Sequence, residues 1–64
     1  MPDKRYRVTV VLADGITLDE MVAIENVEVF MEVIQNAMDE RRPVRVGNTL
    51  FAPDTIVRVT YQLA

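Results

Sequence analysis

Hydrophobic and polar residues alternate along the first third of the chain, and this predicts a pair of β-strands. Residues Tyr6 to Ala13 place Tyr, Val, Val and Leu on one face and Arg, Thr, Val and Ala on the other. Such a two-residue period is typical of a half-buried strand. Asp14-Gly15 follows, and glycine accepts the positive φ that tight turns require. The segment from Ile16 to Ile24 is then the returning strand of a hairpin.

The turn residues and the apolar phase together predict the register of this hairpin. A loop made of residues 13–15, with its glycine left-handed in a bulge, pairs Leu12 with Ile16 and Val10 with Leu18. This register keeps both apolar phases on one face, whereas a two-residue loop does not. Glu20 is the one acid in the inward phase. In this register Glu20 would lie at a strand end or pair with an arginine such as Arg41, and we favour a local bulge that moves it outward.

The returning strand has a helical alternative. Thr17-Leu18-Asp19-Glu20 matches a capping box, which would start a helix at Leu18. The β-branched residues that follow are mediocre helix formers. We therefore favour the strand.

A helix with one apolar stripe is predicted from Asn26 to Arg41. Asn26 is a suitable N-cap, and Pro43 ends the segment. The apolar positions recur at spacings of three and four, as in an amphipathic helix. They are Val27, Phe30, Met31, Ile34, Ala37 and Met38. Val29 and Val33 lie beside this stripe, and we consider them a candidate helix-side contact.

The remaining third reads as short extended segments separated by turns. Residues 44–46 and 49–51 are extended around Gly47-Asn48, residues 52–55 form a turn, and residues 56–63 are the last strand. We assign the apolar phase of that strand to Val57, Val59, Tyr61 and Leu63. The chain is thus one α+β domain, residues 1–64, in ββαββ order, with residues 1–5 as a flexible tail. We expect an antiparallel sheet of four to five short strands with one amphipathic helix on one face.

The other face of this sheet has no second layer, which makes it the candidate interface. Its residues are arginines, threonines and a few apolar side chains, in contrast to the acidic outer arc of the helix. The candidates are Arg7, Thr9, Val11, Met21, Arg45, Arg58, Thr60 and Gln62. A solvated sheet face is the alternative interpretation, since antiparallel sheets can face water on one side.

Composition narrows the possible functions. The 64 residues include no Cys and no His, and the sequence also lacks Ser. Catalysis by a Ser or Cys nucleophile with a His base is therefore excluded, as are disulfides and Cys/His zinc sites. The carboxylates lack the spacing of a calcium loop, and the two glycines form no phosphate-binding motif. We predict that the protein is not an enzyme and has no cofactor.

Size and charge narrow the classes of partner that the protein can bind. So short a chain gains stability from oligomerisation, and half of its residues are hydrophobic. A net charge of −3 disfavours nucleic acid. We expect a homodimer or higher oligomer that docks on, or inhibits, a larger protein. Two alternatives stay open: a nucleic-acid-associated regulator that uses the arginine-bearing sheet face, and a binder of a small anionic ligand at a subunit interface.

The sequence also allows a prediction of the cellular compartment. The N-terminal residues have no apolar stretch with a small-residue cleavage site, and no apolar run approaches the roughly 20 residues that span a bilayer. With no cysteine in addition, we expect a cytoplasmic protein without membrane contact.

Three features together resemble a group of small bacterial and phage proteins. They are the Asp14-Gly15 hairpin, one helix from Asn26 to Arg41, and Phe51-Ala52-Pro53-Asp54-Thr55-Ile56 leading into the last strand. This pattern is similar to that of uncharacterised small ββαββ accessory proteins of Gram-positive bacteria and their phages. The resemblance implies an accessory protein, such as a phage-made inhibitor of a host or defence protein. It rests on turn residues, so it assigns no functional residue.

Overall fold

The structure is a computed structural model that describes residues 4–64, and it contains one α-helix and five β-strands. The strands are β1 (Lys4–Leu12), β2 (Thr17–Ile24), β3 (Val44–Val46), β4 (Thr49–Phe51) and β5 (Ile56–Leu63), with the helix α1 (Val27–Asp39) between β2 and β3. A short 3-10 turn, Pro53–Thr55, precedes β5. The predicted α+β class, with one helix and antiparallel strands, is confirmed.

The first hairpin forms in the predicted register. Val10 lies opposite Leu18, and the Leu12 N–H donates to the Ile16 carbonyl at 2.8 Å. Gly15 has φ +91°, so it supplies the left-handed residue that the turn needs. The helical alternative for residues 17–24 is therefore wrong.

The five strands of residues 4–64 agree with the predicted four to five, but they form two sheets instead of the expected single sheet. Three strands pair antiparallel in the order β2-β1-β5, and β3 pairs only with β4. A Cβ placed on Gly47, in the β3–β4 turn, would lie 3.6 Å from the inward-facing side chain of Val22. The small hairpin thus packs on the same face of the large sheet as the helix. One short helix covers only part of that face, and the hairpin covers more of it.

The core lies between the three-stranded sheet and this layer of helix plus hairpin. Its buried residues are all hydrophobic: Val8, Val10, Ile24, Ile34, Ala37, Val44, Val46, Phe51 and Ile56. No buried polar or charged residue is present in the part of the chain that the structure describes. The core is therefore held by apolar burial and close packing.

A bulge at the start of β5 changes the predicted phase of that strand. Leu12 lies opposite Ile56 while Val11 lies opposite Arg58, so one extra residue sits between the pairs. Ile56 is consequently buried, whereas Val57 is 64% exposed. The assignment of Val57 to the core was wrong because strict alternation cannot show an inserted residue.

Lys4 and Arg5 belong to β1, so the predicted tail is wrong for these two residues. Residues 1–3 of that prediction lie outside the described residues.

Both ends of the helix are capped by specific hydrogen bonds. The Asn26 side chain accepts from the N–H groups of Glu28 and Val29, as predicted. The helix ends at Asp39, two residues before the predicted Arg41. Arg41 has φ +56°, and its N–H and that of Arg42 donate back to Met38 and Ala37 in a Schellman motif.

We expect Arg41→Gly to stabilise the protein. A left-handed conformation costs a residue with a Cβ about 1–2 kcal/mol, and glycine's greater freedom in the unfolded chain offsets part of that gain. The net gain should be about 0.5–1 kcal/mol, measured as a higher midpoint of urea unfolding. Arg42→Gly is the matched control, since the structure gives Arg42 no positive φ. Equal midpoints for Arg41→Gly and wild type would contradict this account.

Candidate functional site

The side of the three-stranded sheet that faces away from the helix forms one continuous surface, which we name the open face. Strand register places its residues in four rows across β2, β1 and β5. They are Thr17–Val11–Arg58, Asp19–Thr9–Thr60, Met21–Arg7–Gln62, and Ala23–Arg5 beside Ala64. Seven of the eight residues predicted for the sheet interface therefore share this face.

No element among the described residues covers the open face. Thr9 and Val11, on the central strand, are half-buried by their neighbours, and the other residues of the three strands on this face are exposed. Met21 is 51% exposed. The surface thus offers two apolar side chains, Val11 and Met21, among arginines and threonines, and both Met and Arg are enriched in protein interfaces.

The open face is electropositive in an acidic protein. It carries Arg5, Arg7 and Arg58 against one carboxylate, Asp19, which is a formal charge of +2. The whole chain carries −3, so the remainder carries −5. Much of that negative charge lies on the outer arc of α1, on the opposite side of the core. The predicted two-faced charge distribution follows from this placement.

The single acid of the open face is already engaged. The Thr9 hydroxyl donates to the Asp19 carboxylate at 2.7 Å. The only ion pair within residues 4–64 is Arg42–Glu40, on the helix side. Arg7 and Arg58 therefore have no carboxylate partner among the described residues and remain available to an anionic group.

Arg45 is the predicted interface residue that the structure places elsewhere. It lies on β3 opposite Leu50, between the fully buried Val44 and Val46. Because these valines face the core from the helix side, Arg45 points away from the core on the side opposite the open face. Its assignment to the sheet face was wrong, since β3 was assumed to extend the same sheet.

Val29 and Val33 lie one turn apart on α1 and are 53% and 59% exposed. They do not adjoin the open face, because α1 packs on the other side of the sheet. Whether they bind a partner stays a prediction.

Glu20 is neither bulged out nor paired with Arg41. The β1–β2 register runs through it without a break, opposite Val8. Its carboxylate accepts from the Thr49 hydroxyl at 2.7 Å. The glycine at position 47 leaves room for this half-buried side chain, since a Cβ there would lie 3.4 Å from its Oε2. Arg41 is exposed at the end of the helix.

Sequence reasoning missed that the open face continues through Arg5 and Ala23. The alternation of β1 and β2 pointed to them, but Arg5 had been assigned to a tail. Among the described residues no group of three or more acidic side chains is placed to hold a metal ion. Over the same residues, no helix has the length and apolarity needed to span a membrane.

Comparison with protein-family models, with curated proteins and with solved structures finds no significant match to this chain.

Proposed function

We propose that this protein is a non-enzymatic interaction module that docks through its open face onto a larger protein. The observation that carries the proposal is the uncovered, arginine-bearing face of a sheet whose other side packs against the helix and the small hairpin. In so small a domain, an uncovered sheet face forgoes burial that would add stability. Contact with a partner supplies that burial.

The surface chemistry supports a partner protein with an acidic surface. Arg7 and Arg58 suit carboxylates, which guanidinium groups bind in bidentate geometry. Met21 lies opposite Arg7 on the neighbouring strand and suits a shallow apolar depression. The expected partner is therefore a protein with an acidic surface around an apolar patch. The resemblance to small phage and bacterial accessory proteins supports an inhibitory role for this docking.

The positions of the aromatic residues favour protein over nucleic acid. Recognition of single strands on an open sheet depends on bases stacking on aromatic side chains. Tyr6 and Tyr61 lie on the inward face, where their rings pack edge to face with centroids 5.9 Å apart. Phe30 and Phe51 pack in or against the core. The open face thus has arginines without a stacking platform.

Charge reversal on the open face tests the proposal. Immobilised wild-type protein, Arg7→Glu and Arg45→Glu are each used to capture proteins from the native host, and the bound proteins are quantified by mass spectrometry. Arg45→Glu is the matched control because it makes the same change in net charge on the opposite side of the molecule. We expect an acidic host protein that wild type and Arg45→Glu retain equally and that Arg7→Glu retains at least tenfold less.

Two results would overturn the proposal. One is a partner that Arg7→Glu retains as well as wild type does. The other is retention of the wild-type protein on heparin with a steep loss as salt rises, which would indicate phosphate binding. Flow-through at low salt is the expected result. Circular dichroism of each variant shows whether a loss of binding is a loss of fold.

A further inference from the structure

The outer edge of β5 exposes unpaired backbone groups. The Ala64 N–H donates to the Arg5 carbonyl at 3.1 Å, and hydrogen-bonded pairs alternate along an antiparallel ladder. The backbone groups of Arg58, Thr60 and Gln62 therefore point toward β1. Those of Val59, Tyr61 and Leu63 point outward, and β5 pairs with no strand other than β1 among residues 4–64.

The side chains along this edge are apolar and accessible. Val57, Tyr61 and Leu63 are 64%, 46% and 57% exposed, and Val59 is half-buried. Tyr61 and Leu63 lie on the inward side of the sheet, yet neither the helix nor the small hairpin covers them. The edge of β5 thus combines free hydrogen-bonding groups with an incomplete end of the core.

The opposite edge of the sheet is protected, and β5 is not. Along β2 the outward backbone groups include those of Asp19, and Glu20 is an inward-pointing charge half-buried beside them. Charged residues in these positions discourage strand addition. Arg58 is the only charged residue in β5, and its backbone faces β1.

We infer that the β5 edge pairs antiparallel with β5 of a second copy of this chain, on a two-fold axis at Thr60. In this register Val59 pairs with the partner's Tyr61, and Val57 pairs with the partner's Leu63. All four apolar residues of the edge gain an apolar neighbour. On the open face Arg58 lies beside the partner's Gln62, so no like charges oppose each other.

The edge itself favours a second copy over a foreign strand. A two-fold interface must be self-complementary, and this strand satisfies that condition in hydrogen bonding, apolar pairing and charge. The product is a continuous six-stranded sheet. Specific interfaces bury at least about 600 Å² per partner, roughly an eighth of the 4747 Å² surface of this chain. A strand-edge contact is near that lower limit, so the dimer should dissociate on dilution.

Cysteine cross-linking tests the register, because the natural sequence contains no Cys. At the axis the two copies of residue 60 form a non-hydrogen-bonded pair, whose Cα atoms lie about 4.5 Å apart, within disulfide range. Under mild oxidation at high protein concentration, Thr60→Cys should form at least tenfold more covalent dimer than Thr17→Cys. Thr17 is the matched control, since it lies exposed on the same face at the β2 edge.

Light scattering after size-exclusion chromatography tests the dimer without cross-linking. Wild type should run as a dimer at high concentration, and Val59→Pro should raise its dissociation constant at least tenfold. Proline at this position removes an outward donor and leaves the β1 ladder intact. If circular dichroism shows that Val59→Pro is unfolded, Leu63→Lys replaces it in the test. Because Leu63→Lys places a charge on the exposed edge, it should raise the dissociation constant of the dimer at least tenfold.

A wild-type monomer at millimolar concentration would overturn the inference. So would a dimer that survives both edge variants, or cross-linking at residue 17 in preference to residue 60. None of these results bears on docking through the open face, which is tested at Arg7 on the central strand.

Discussion

Replacing Phe51 with alanine is expected to remove about half of the protein's free energy of unfolding. Phe51 is the largest of the nine buried hydrophobic side chains, at 7% exposure, and it fixes the short β3–β4 hairpin in the core. Truncating a buried Phe to Ala costs about 3–5 kcal/mol. At about 0.05–0.15 kcal/mol per residue, a chain of this length has a total stability of roughly 3–10 kcal/mol. The expected loss is thus a large part of the total free energy of unfolding.

Leu50→Ala is the matched control for this prediction. Leu50 is the preceding residue on the same strand, yet it is 66% exposed. We expect its truncation to change the free energy of unfolding by less than about 0.5 kcal/mol. Urea unfolding followed by circular dichroism gives both values. Comparable losses for the two variants would mean that the β3–β4 hairpin does not pack as described.

The contrast between Leu50 and Phe51 also shows where sequence reasoning failed. The alternation of hydrophobic and polar residues shows that neighbouring residues face opposite sides of their strand. It does not show which sheet that strand joins. In β1 and β2, turn type and hydrophobic phase agreed on one register, and the structure has it. In β3 and β4 only three residues form each strand, and a pattern so short is equally compatible with extending the sheet or packing on it. Arg45 was misplaced for this reason.

The same limit of the alternation pattern explains why the sequence did not predict the exposed apolar edge of β5. Reading residues 57–63 as strictly alternating placed Val57 in the core, because nothing in the residue types distinguishes a bulge from a regular step. The bulge buries Ile56 instead and leaves Val57 64% exposed. Most of the open face was predictable because it depends on long strands with clear alternation. The exposed edge of β5 was not predictable, because it depends on the order of the strands in the sheet. Only tertiary packing decides that order.

Ile34→Ala should produce the second large loss of stability. Ile34 is 4% exposed and, with Ala37, forms the buried centre of the α1 face that contacts the core. Removing its three outer carbons should lower the free energy of unfolding by about 2–4 kcal/mol. Alanine is the better helix former by a few tenths of a kcal/mol, but that gain is far smaller than the cavity cost. The variant should therefore unfold at a much lower urea concentration.

Val33→Ala is the control for Ile34, and it also examines the helix-side contact. Val33 is the adjacent residue and is 59% exposed, so its truncation should change stability by less than about 0.5 kcal/mol in dilute protein. A surface that binds another copy stabilises the fold more as concentration rises. If Val33 lies in such a contact, the free energy of unfolding lost in Val33→Ala should be larger at high protein concentration than at micromolar concentration. The loss in Ile34→Ala should not depend on concentration. A large cost for Val33 in dilute protein would instead show that this side of the helix is packed against the core.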